Sequence, residues 1–392
     1  MTEIYKLRNQ IKHYEWGSTS LIPRLLGVIG DGSPWAELWM GSHSETLDGV
    51  SVGELIAGDT RRGRYGELPF LFKLLAAEKP LSIQAHPNLA QAREGFEREN
   101  RAQIAPDAPN RNYRDSNHKP EIICALTLFT GMCGFRSPGD IARRLSTFLA
   151  SGSPAPLRES FAPLLAAIET PDTAAALRNF LDALFGLSPA ARAALTQFIL
   201  SSQGDGEEWE LMREFARQYP GDPAIIAPLY LNVFHLAPGE ALFINAGVPH
   251  AYIRGFGVEL MANSDNVLRG GLTAKHVDVP ELMKTLDFSP MQPRIIKPEP
   301  DTACFTYPAP CEEFSLTVMR GGVEAQPAAF ARNAPAIVIV TEGEVTIEAP
   351  DAVDASGAVL KQGESAFIPA NGDDETLVLQ GHYTLYAASV PL

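Results

Sequence analysis

The chain has 392 residues, with 32 Lys and Arg against 47 Asp and Glu, and its formal net charge is −15. This length predicts two or three domains of ordinary globular composition. The acidic balance argues against nucleic acid or an anionic membrane surface as a partner, because binding to phosphate backbones requires a basic surface. The negative net charge is still compatible with a small anionic ligand, because a pocket can be locally positive.

No stretch reaches the roughly 18 consecutive apolar residues of a membrane span. The cysteines lack C-x-x-C spacing, and in a chain of this length they indicate reduced thiols; they are Cys124, Cys133, Cys304 and Cys311. We therefore expect a cytoplasmic protein without a membrane or nucleic-acid partner. We also expect it to be a monomer or a weak homodimer.

Residues 1–137 contain short β-type runs such as FLFKLLA, separated by Gly and Pro, which predict an antiparallel β domain. Over 138–220 the chain is rich in Ala, Leu and Arg with apolar residues at i, i+3 and i+4. This spacing predicts a helical insertion, to which we assign no chemistry. Short strand-type runs return over 221–294, and after a Pro-broken connector they continue over 295–392.

A short sequence frame occurs twice, once in 221–294 and once in 295–392. PGEALFINAGVPH (238–250) and QGESAFIPANGDD (362–374) share the frame G-E-x-x-F-I-x-A. The frame resembles the second cupin motif, in which a metal histidine lies a few positions after a proline. The first copy keeps the histidine, His250, with Asn245 at the proline position, whereas the second keeps the proline but has Asp374 where the histidine would fall.

This resemblance implies one metal-binding barrel and one barrel without a metal. We therefore predict a mainly β fold with an α-helical insertion: two cupin (jelly-roll) β-barrel domains plus a helical domain. The catalytic cupin domain is formed by 1–137 and 221–294, the helical insertion by 138–220, and the degenerate cupin domain by 295–392.

Polar side chains at three points in strand-type sequence predict the metal site. Gln84 and His86 in LSIQAHPN are two residues apart, so they share one face of an extended strand. Lys119 and Glu121 share a face in the same way at the start of EIICAL, and His250 ends the first copy of the repeated frame. Two imidazoles, a carboxylate and an amide oxygen, with no thiolate, fit zinc with an open position. Each residue alone is more often a hydrogen-bonded core or rim residue, so the hypothesis depends on their conjunction.

Four blocks in order along the chain resemble the signature blocks of type I phosphomannose isomerases. These are AELWMGSH (36–43), FLFKLLAAEKPLSIQAHPN (70–88), NHKPEI (117–122) and GVPHAY…GVELMANSDNVLRGGLTAKHVDV (247–279). The resemblance implies a zinc-dependent cupin, with one zinc ion per chain, that interconverts mannose 6-phosphate and fructose 6-phosphate. The partner it implies is thus a small hexose 6-phosphate.

The resemblance also assigns site residues. It places the metal ligands on Gln84, His86, Glu121 and His250. It places the catalytic arginine on Arg269 and the conserved lysines on Lys119, which is a catalytic candidate, and on Lys73 and Lys275, which with Ser82 are the substrate-binding candidates for phosphate. Two acids in the same segment as Arg269 are further catalytic candidates, Glu259 and Asp265. Two aromatic residues are further substrate-binding candidates, Trp16 and Tyr252. Aldose–ketose isomerisation needs ring opening, a base near carbons 1 and 2, and positive charge against the developing enediolate, which Arg269 suits. Taken alone, Lys73 is more often a solvated lysine, and the two aromatic side chains are more often packing residues.

Other functions remain open at this point. Similar ligands occur in a cupin isomerase that acts on another hexose phosphate and in metal-dependent oxygenases, although an oxygenase has no use for several lysines and an arginine. A non-catalytic sugar-phosphate-binding cupin is the alternative from a different class. The pathway is equally open between glycan precursor supply and mannose catabolism.

Overall fold

The computed structural model describes residues 4–57, 67–299, 302–330, 334–349, 357–370 and 376–391. The strands are β1 (Tyr5–Arg8), β2 (Gln10–Lys12), β3 (Glu37–Met40), β4 (Glu45–Thr46), β5 (Phe70–Ala77), β6 (Ile83–Ala85), β7 (Glu121–Ala125), β8 (Phe129–Phe135), β9 (Leu231–Leu236), β10 (Ala241–Ile244), β11 (His250–Ala262), β12 (Leu268–Gly271), β13 (Ile295–Ile296), β14 (Cys304–Tyr307), β15 (Ser315–Gly321), β16 (Gln326–Pro327), β17 (Ala336–Glu348), β18 (Ala358–Lys361), β19 (Ser365–Ile368), β20 (Val378–Gln380) and β21 (Tyr383–Ser389). The helices are α1 (Leu21–Leu25), α2 (Val52–Ala57), α3 (Leu89–Arg101), α4 (Pro138–Ala150), α5 (Ala155–Ile168), α6 (Thr173–Phe185), α7 (Pro189–Ser201), α8 (Glu207–Gln218), α9 (Ala227–Tyr230) and α10 (Val279–Thr285), with a short 3-10 helix at Pro223–Ile226.

The five consecutive helices α4 to α8 lie where the apolar spacing predicts helices. Three of them begin at polar caps whose side chains accept a backbone N–H of the first turn: Ser137 for α4, Asp172 for α6 and Ser188 for α7. Their apolar faces form one hydrophobic cluster that also contains Ile83 and Ala85 of β6. The helices therefore pack directly behind the strand that carries Gln84.

The first sheet has 11 antiparallel strands, with the order β13-β10-β7-β11-β5-β3-β2 along its main path. The 13-residue strand β11 organises it. The first half of β11 pairs with β6 and β8, and the second half pairs with β5 and β7. Strand β12 extends the sheet through β6. All the strands that contain or adjoin the predicted metal ligands therefore meet around β11.

The second sheet has ten strands, with the order β14-β15-β21-β17-β19-β1-β4, and β16, β18 and β20 join it through β17. Strands β1 and β4 come from the N-terminal region, which nothing in the local sequence pattern indicates. The mainly β content and the helical segment confirm the coarse fold prediction. Strand pairing among the described residues closes neither sheet into a ring.

The repeated frame has the same local structure in both copies. In each, a strand, β10 or β19, begins two residues after a glycine of nearly identical left-handed backbone, Gly239 (φ +85°) and Gly363 (φ +84°). A residue with a Cβ rarely adopts this conformation, which explains the glycine. Asp374, at the position of the missing histidine, lies outside the described residues.

One hydrophobic cluster joins the two sheets, with Phe72 and Val258 from the first and Ile337 and Phe367 from the second. All four cysteines are free. Within the described residues no single helix is long and apolar enough to cross a membrane. Taken together, α6 and α7 have the length and composition of a membrane span, but the two helices are bent by 94° relative to each other.

Candidate functional site

Three of the predicted metal ligands lie together in the first sheet. One donor atom from each of His86, Glu121 and His250 lies within 4.8 Å of the others, and the exposed fractions of these residues are 1%, 2% and 0%. His86 Nε2 is 3.3 Å from Glu121 Oε1, and His250 Nε2 is 3.1 Å from Glu121 Oε2. Ligand atoms about 2.0–2.2 Å from a tetrahedral zinc ion would be about 3.3 Å apart, so the spacing fits.

Hydrogen bonding at the other ring nitrogens shows which atoms are left to bind a cation. The Nδ1 atom of His86 lies 2.7 Å from the carbonyl oxygen of Asn266, and that of His250 lies 2.9 Å from the carbonyl oxygen of Val248. A carbonyl oxygen only accepts, so each Nδ1 carries the proton. Burial and the charge of Lys119 lower the pKa of His86 to about 4, although Glu121 opposes this, so that ring is neutral near pH 7.

With Nδ1 protonated, Nε2 of a neutral ring is a bare lone pair. Both Nε2 atoms and Glu121 Oε2 are buried without a hydrogen-bond partner, and they face one another. Acceptors facing acceptors are unfavourable unless a cation lies between them. This donor set therefore fits a divalent metal ion, and the carbonyl oxygens of Asn266 and Val248 orient the two rings toward it.

Strand register places two further predicted residues beside this cluster. Gln84 on β6 is directly opposite His250 on β11, and on its other side it is opposite Arg269 on β12. Directly opposed residues project to the same face of a sheet, so these three side chains share the metal face. The assignment of Gln84 as a fourth ligand stays a prediction supported by this register.

Lys119 and Glu121 share a side, as their spacing predicts. Lys119 is buried, and its Nζ atom is 3.1 Å from Glu121 Oε1. The neighbouring His118 points elsewhere, where its Nε2 lies 2.5 Å from Glu313 Oε1. Burial raises the pKa of Glu121, but the ammonium of Lys119 outweighs burial and holds that pKa well below its ordinary value.

A buried chain of charges extends from the cluster along β5 and β11. Lys73 Nζ is 2.6 Å from Glu259 Oε2 and 3.1 Å from Glu37 Oε1. The interpretation of Lys73 as a solvated lysine is wrong, because only 7% of the residue is exposed. Burial opposes its charge, but the two carboxylates outweigh burial and raise the pKa of Lys73 well above its usual range. Burial is the largest influence on Glu259 and raises its pKa, although Lys73 opposes it.

The predicted aromatic residues lie next to this chain of charges. The ring of Tyr252 is fully buried with its centroid 6.0 Å from that of His250. Burial and the negative charges of Glu259 and Glu121 raise the pKa of Tyr252 well above its ordinary value. Trp16 is half-buried against the cluster containing Tyr252 and stacks on Tyr14 at 5.7 Å. Both predicted residues thus also have a packing role.

The remaining predicted residues lie where β12 leaves the sheet. Arg269 is half-buried and Lys275 is exposed, and neither forms an ion pair with a described residue. Burial and then neighbouring positive charge lower the pKa of both; Arg114 acts on each, and Arg269 acts on Lys275. Asp265 is exposed, and its N–H donates to the Asp115 carboxylate. Ser82 is half-buried immediately before β6.

Sequence reasoning missed three residues of this region. Glu37 is flanked by apolar residues in the block AELWMGSH, and this pattern could have predicted a buried acid in a strand. Arg114 is in a polar loop and carried no signal. Asn266 is fully buried and bonds through its side chain to Asp115 and Asn117 while its carbonyl accepts from His86.

Residues 4–138 match the family described as phosphomannose isomerase type I, catalytic domain. The mannose-6-phosphate isomerase of Escherichia coli is 36% identical over 397 residues, which span 96% of this chain and 97% of that protein. The human mannose-6-phosphate isomerase is 32% identical over 416 residues, or 94% of both chains.

The chain belongs to the type I phosphomannose isomerase family. Solved structures agree over the full length. A crystal structure of mannose 6-phosphate isomerase bound with zinc and yttrium covers 100% of both chains at a TM-score of 0.86 and 36% identity. A point mutant of the Salmonella typhimurium phosphomannose isomerase does so at a TM-score of 0.88 and 35% identity.

Proposed function

We propose that the protein is a zinc-dependent mannose-6-phosphate isomerase that interconverts mannose 6-phosphate and fructose 6-phosphate by proton transfer through a cis-enediol. The observation that carries this proposal is the set of bare donor atoms on His86, Glu121 and His250, facing one another in the interior of the first sheet. Gln84 completes the donor set from the adjacent strand. When bound, zinc would supply Lewis-acid polarisation of the sugar oxygens.

The buried charges suit a reaction that develops negative charge on substrate oxygens. Three buried carboxylates, on Glu37, Glu121 and Glu259, stand against two buried ammonium groups, on Lys73 and Lys119. One excess negative charge remains, which a divalent ion converts to one excess positive charge. Arg269 adds a guanidinium on the same face, placed to donate to an enediolate oxygen.

Two side chains are the candidates for moving the proton between carbons 2 and 1. Glu259 has a pKa raised by burial, which brings a carboxylate closer to the range where a base is effective near neutral pH. Lys119 is placed beside Glu121 and therefore beside the substrate oxygens. Lys73 holds Glu259 in position and has one N–H left for the substrate, while Asp265 lies at the exposed rim.

Phosphate recognition is assigned to Lys275, which follows β12, with Arg114 adding positive charge to the same region. Arg269, Lys275 and Arg114 influence one another electrostatically and lack carboxylate partners among the described residues. An anion with two or more negative charges would relieve this repulsion. Ser82 would donate its hydroxyl to the phosphate, and Trp16 and Tyr252 would line the sugar-binding part.

The proposal extends to domain organisation. Strand β11 in the first sheet and strand β17 in the second each join two groups of strands, which supports two cupin barrels. In this division, 1–137 and 221–294 form the catalytic barrel, 138–220 the helical insertion and 295–392 the barrel without metal. The free cysteines support a cytoplasmic location, and a monomer or weak homodimer stays a prediction.

The test is a coupled assay of mannose 6-phosphate conversion before and after chelation, followed by zinc add-back. Conversion that is lost on chelation and restored by zinc supports the proposal. Binding of mannose 6-phosphate without turnover at any zinc loading would overturn it in favour of a sugar-phosphate-binding protein. Faster turnover of another hexose phosphate would overturn the assignment of substrate.

A further inference from the structure

The turn that follows Arg269 has an unfavourable backbone conformation. Gly271 has φ +118° and Leu272 has φ +52°, and Leu272 is one of only two non-glycine residues with positive φ among the described residues. The left-handed region is unfavourable for a side chain with a Cβ, so surrounding contacts must hold Leu272 in it. The register of β12 against β6 also shifts between Arg269 and Gly271.

A single carboxylate from a distant part of the chain holds this turn. Asp222 Oδ2 accepts the N–H of Leu272 at 2.7 Å. Its other oxygen, Oδ1, accepts the N–H of Ala224 at 2.8 Å, at the start of the 3-10 helix. Asp222 thus ties the segment that leaves the last insertion helix, α8, to the turn that follows Arg269.

Two observations indicate that this tie determines the position of the turn. A Cβ added at Gly271 would lie 2.4 Å from the Cβ of Ala224, so the two backbones approach at a distance that only glycine permits. On the outer side, a cavity of about 520 Å³ is lined by Asp222, Gly271 and Thr273 among others. The side chain of Leu272 is 1% exposed and packs in the same hydrophobic cluster as Ala224, so packing holds it on the inner side. On the outer side close packing does not enclose the turn, and there the hydrogen bonds to Asp222 fix its backbone.

We propose that Asp222 is a positioning residue for anion recognition: by holding the Gly271–Leu272 turn, which follows Arg269, it sets Lys275 in the geometry that binds the substrate phosphate. The inference rests on the proposed function and deepens it. Asp222 does not itself contact substrate. The helical insertion thereby helps to position the turn, since α8 ends a few residues before Asp222.

The test uses the zinc-loaded full-length protein with two variants of Asp222. In Asp222→Asn, an amide NH₂ replaces one acceptor, so the variant cannot satisfy both Ala224 and Leu272. In Asp222→Ser, the hydroxyl keeps the cap on Ala224 but is too short to reach Leu272. Asp172→Asn is the matched control, because Asp172 also caps a helix by accepting a backbone N–H, that of Ala175, far from the turn.

Two quantities are measured: the Kd for inorganic phosphate by calorimetry, and kcat and KM for mannose 6-phosphate. In both Asp222 variants we expect the phosphate Kd and the KM to rise about 10-fold and kcat/KM to fall about 10- to 100-fold, since a displacement of about 1 Å has effects of that size. Zinc content stays unchanged, and Asp172→Asn behaves like wild type. A loss of folded protein alone would lower the apparent kcat without changing KM.

A double variant tests whether the effect passes through the turn. In a Lys275→Ala background the added effect of Asp222→Asn on phosphate affinity should be markedly smaller, because the group that it positions is missing. Phosphate affinity equal to that of wild type in both Asp222 variants overturns the inference, whatever their activity. Wild-type holoprotein that fails to bind phosphate overturns it as well. Phosphate binding that depends on Asp222, without isomerase turnover, would retain this inference while rejecting the proposed function.

Discussion

Two strands of equal length, β11 in the first sheet and β17 in the second, make the clearest comparison in the molecule. Each has 13 residues, and each pairs with different neighbours in its two halves. On the faces that meet between the sheets they are alike: Val258 and Leu260 of β11 lie in the same hydrophobic cluster as Ile337 and Ile339 of β17. That shared face holds the two sheets together.

Their opposite faces differ completely. On β17 that face carries Ala336, Val338 and Val340, inside an apolar cluster. On β11 it carries His250 and Glu259. Among the described residues of the second sheet that come from 302–391, the buried polar residues are uncharged, whereas the first sheet buries five charged side chains around the site.

The difference shows where function is located. A buried charge is costly unless it is paired, and a buried ion pair adds little net stability compared with apolar packing. The second sheet has the arrangement that favours stability alone. The first sheet departs from it at the residues that fit a metal ion and at those that we propose contact the substrate.

The largest expected effect comes from removing the metal-binding carboxylate of the first sheet. Glu121→Gln keeps the size of the side chain but replaces an anionic ligand with a neutral one. We expect zinc to be lost and kcat/KM to fall by about 10³-fold or more, because metal polarisation contributes several kcal/mol. Metal analysis and the coupled assay measure both. Full zinc occupancy in this variant would show that the cluster is not the metal site.

The second prediction concerns the guanidinium beside the metal face. Arg269→Ala should lower kcat by about 10²–10³-fold while zinc remains bound, as for loss of one group that stabilises a developing oxyanion. Arg254→Ala is the control, because Arg254 is exposed on β11 and pairs with Glu214, outside the site. A similar loss of activity in both variants would contradict the specific role of Arg269.

The third prediction concerns replacing buried charges of the first sheet with apolar side chains like those inside the second sheet. Lys73→Met alone leaves Glu37 and Glu259 buried without their cation, so we expect a loss of about 3–5 kcal/mol in the free energy of unfolding. Combining it with Glu37→Leu and Glu259→Leu should restore much of that stability, while activity remains absent. Urea denaturation measures the first quantity. A triple variant no more stable than Lys73→Met would show that the charged network itself is essential for folding.

The fourth prediction tests the support behind a metal ligand. The side chain of Asn266 bonds to Asp115 and Asn117, and these bonds place the carbonyl that orients His86. Asn266→Ala should therefore weaken zinc affinity about 10- to 100-fold, the usual range for groups behind a ligand. Asn232→Ala, which also removes a buried carboxamide bonded to backbone carbonyls, should leave zinc affinity largely unchanged.

The metal donors were predictable because the i, i+2 spacing in strand-type sequence shows which side chains share a face, and because His250 ends a repeated sequence frame. Spacing alone paired Gln84 with His86 and Lys119 with Glu121, and the structure keeps Lys119 and Glu121 in contact. The burial of Lys73 was not predictable, since the carboxylates that neutralise it come from distant strands.

Long-range pairing explains what else the sequence did not reveal. Strand β1 pairs with β19, more than 350 residues away, and a local pattern carries no information on such a partner. Asp222 was missed for the same reason, because its partner Leu272 is 50 residues distant. Local sequence predicts faces and turns, whereas the partners of buried charges depend on the assembled sheets.

The smallest expected effect concerns the repeated frame G-E-x-x-F-I-x-A, which has one copy in each sheet. Glu240 Oε2 accepts the N–H of Ala237 at 3.0 Å, and Glu364 Oε2 accepts the N–H of Lys361 at 2.8 Å, at equivalent positions of the frame. Burial opposes ionisation, but these N–H groups and a nearby lysine outweigh it and lower the pKa of both carboxyls. The repeated glutamate therefore stabilises a turn in both copies, and we expect it to have no part in metal binding.

Glu240→Gln and Glu364→Gln should each lower the free energy of unfolding by about 1 kcal/mol and leave zinc content and activity unchanged. Because the folded pKa is depressed, the stabilisation is present above the unfolded pKa and is lost as the pH falls through the folded value. The difference between wild type and each variant should therefore shrink on acidification below about pH 4. Urea titrations at pH 7 and at acid pH measure this. Loss of zinc in Glu240→Gln alone would show that the first copy of the frame serves the metal directly.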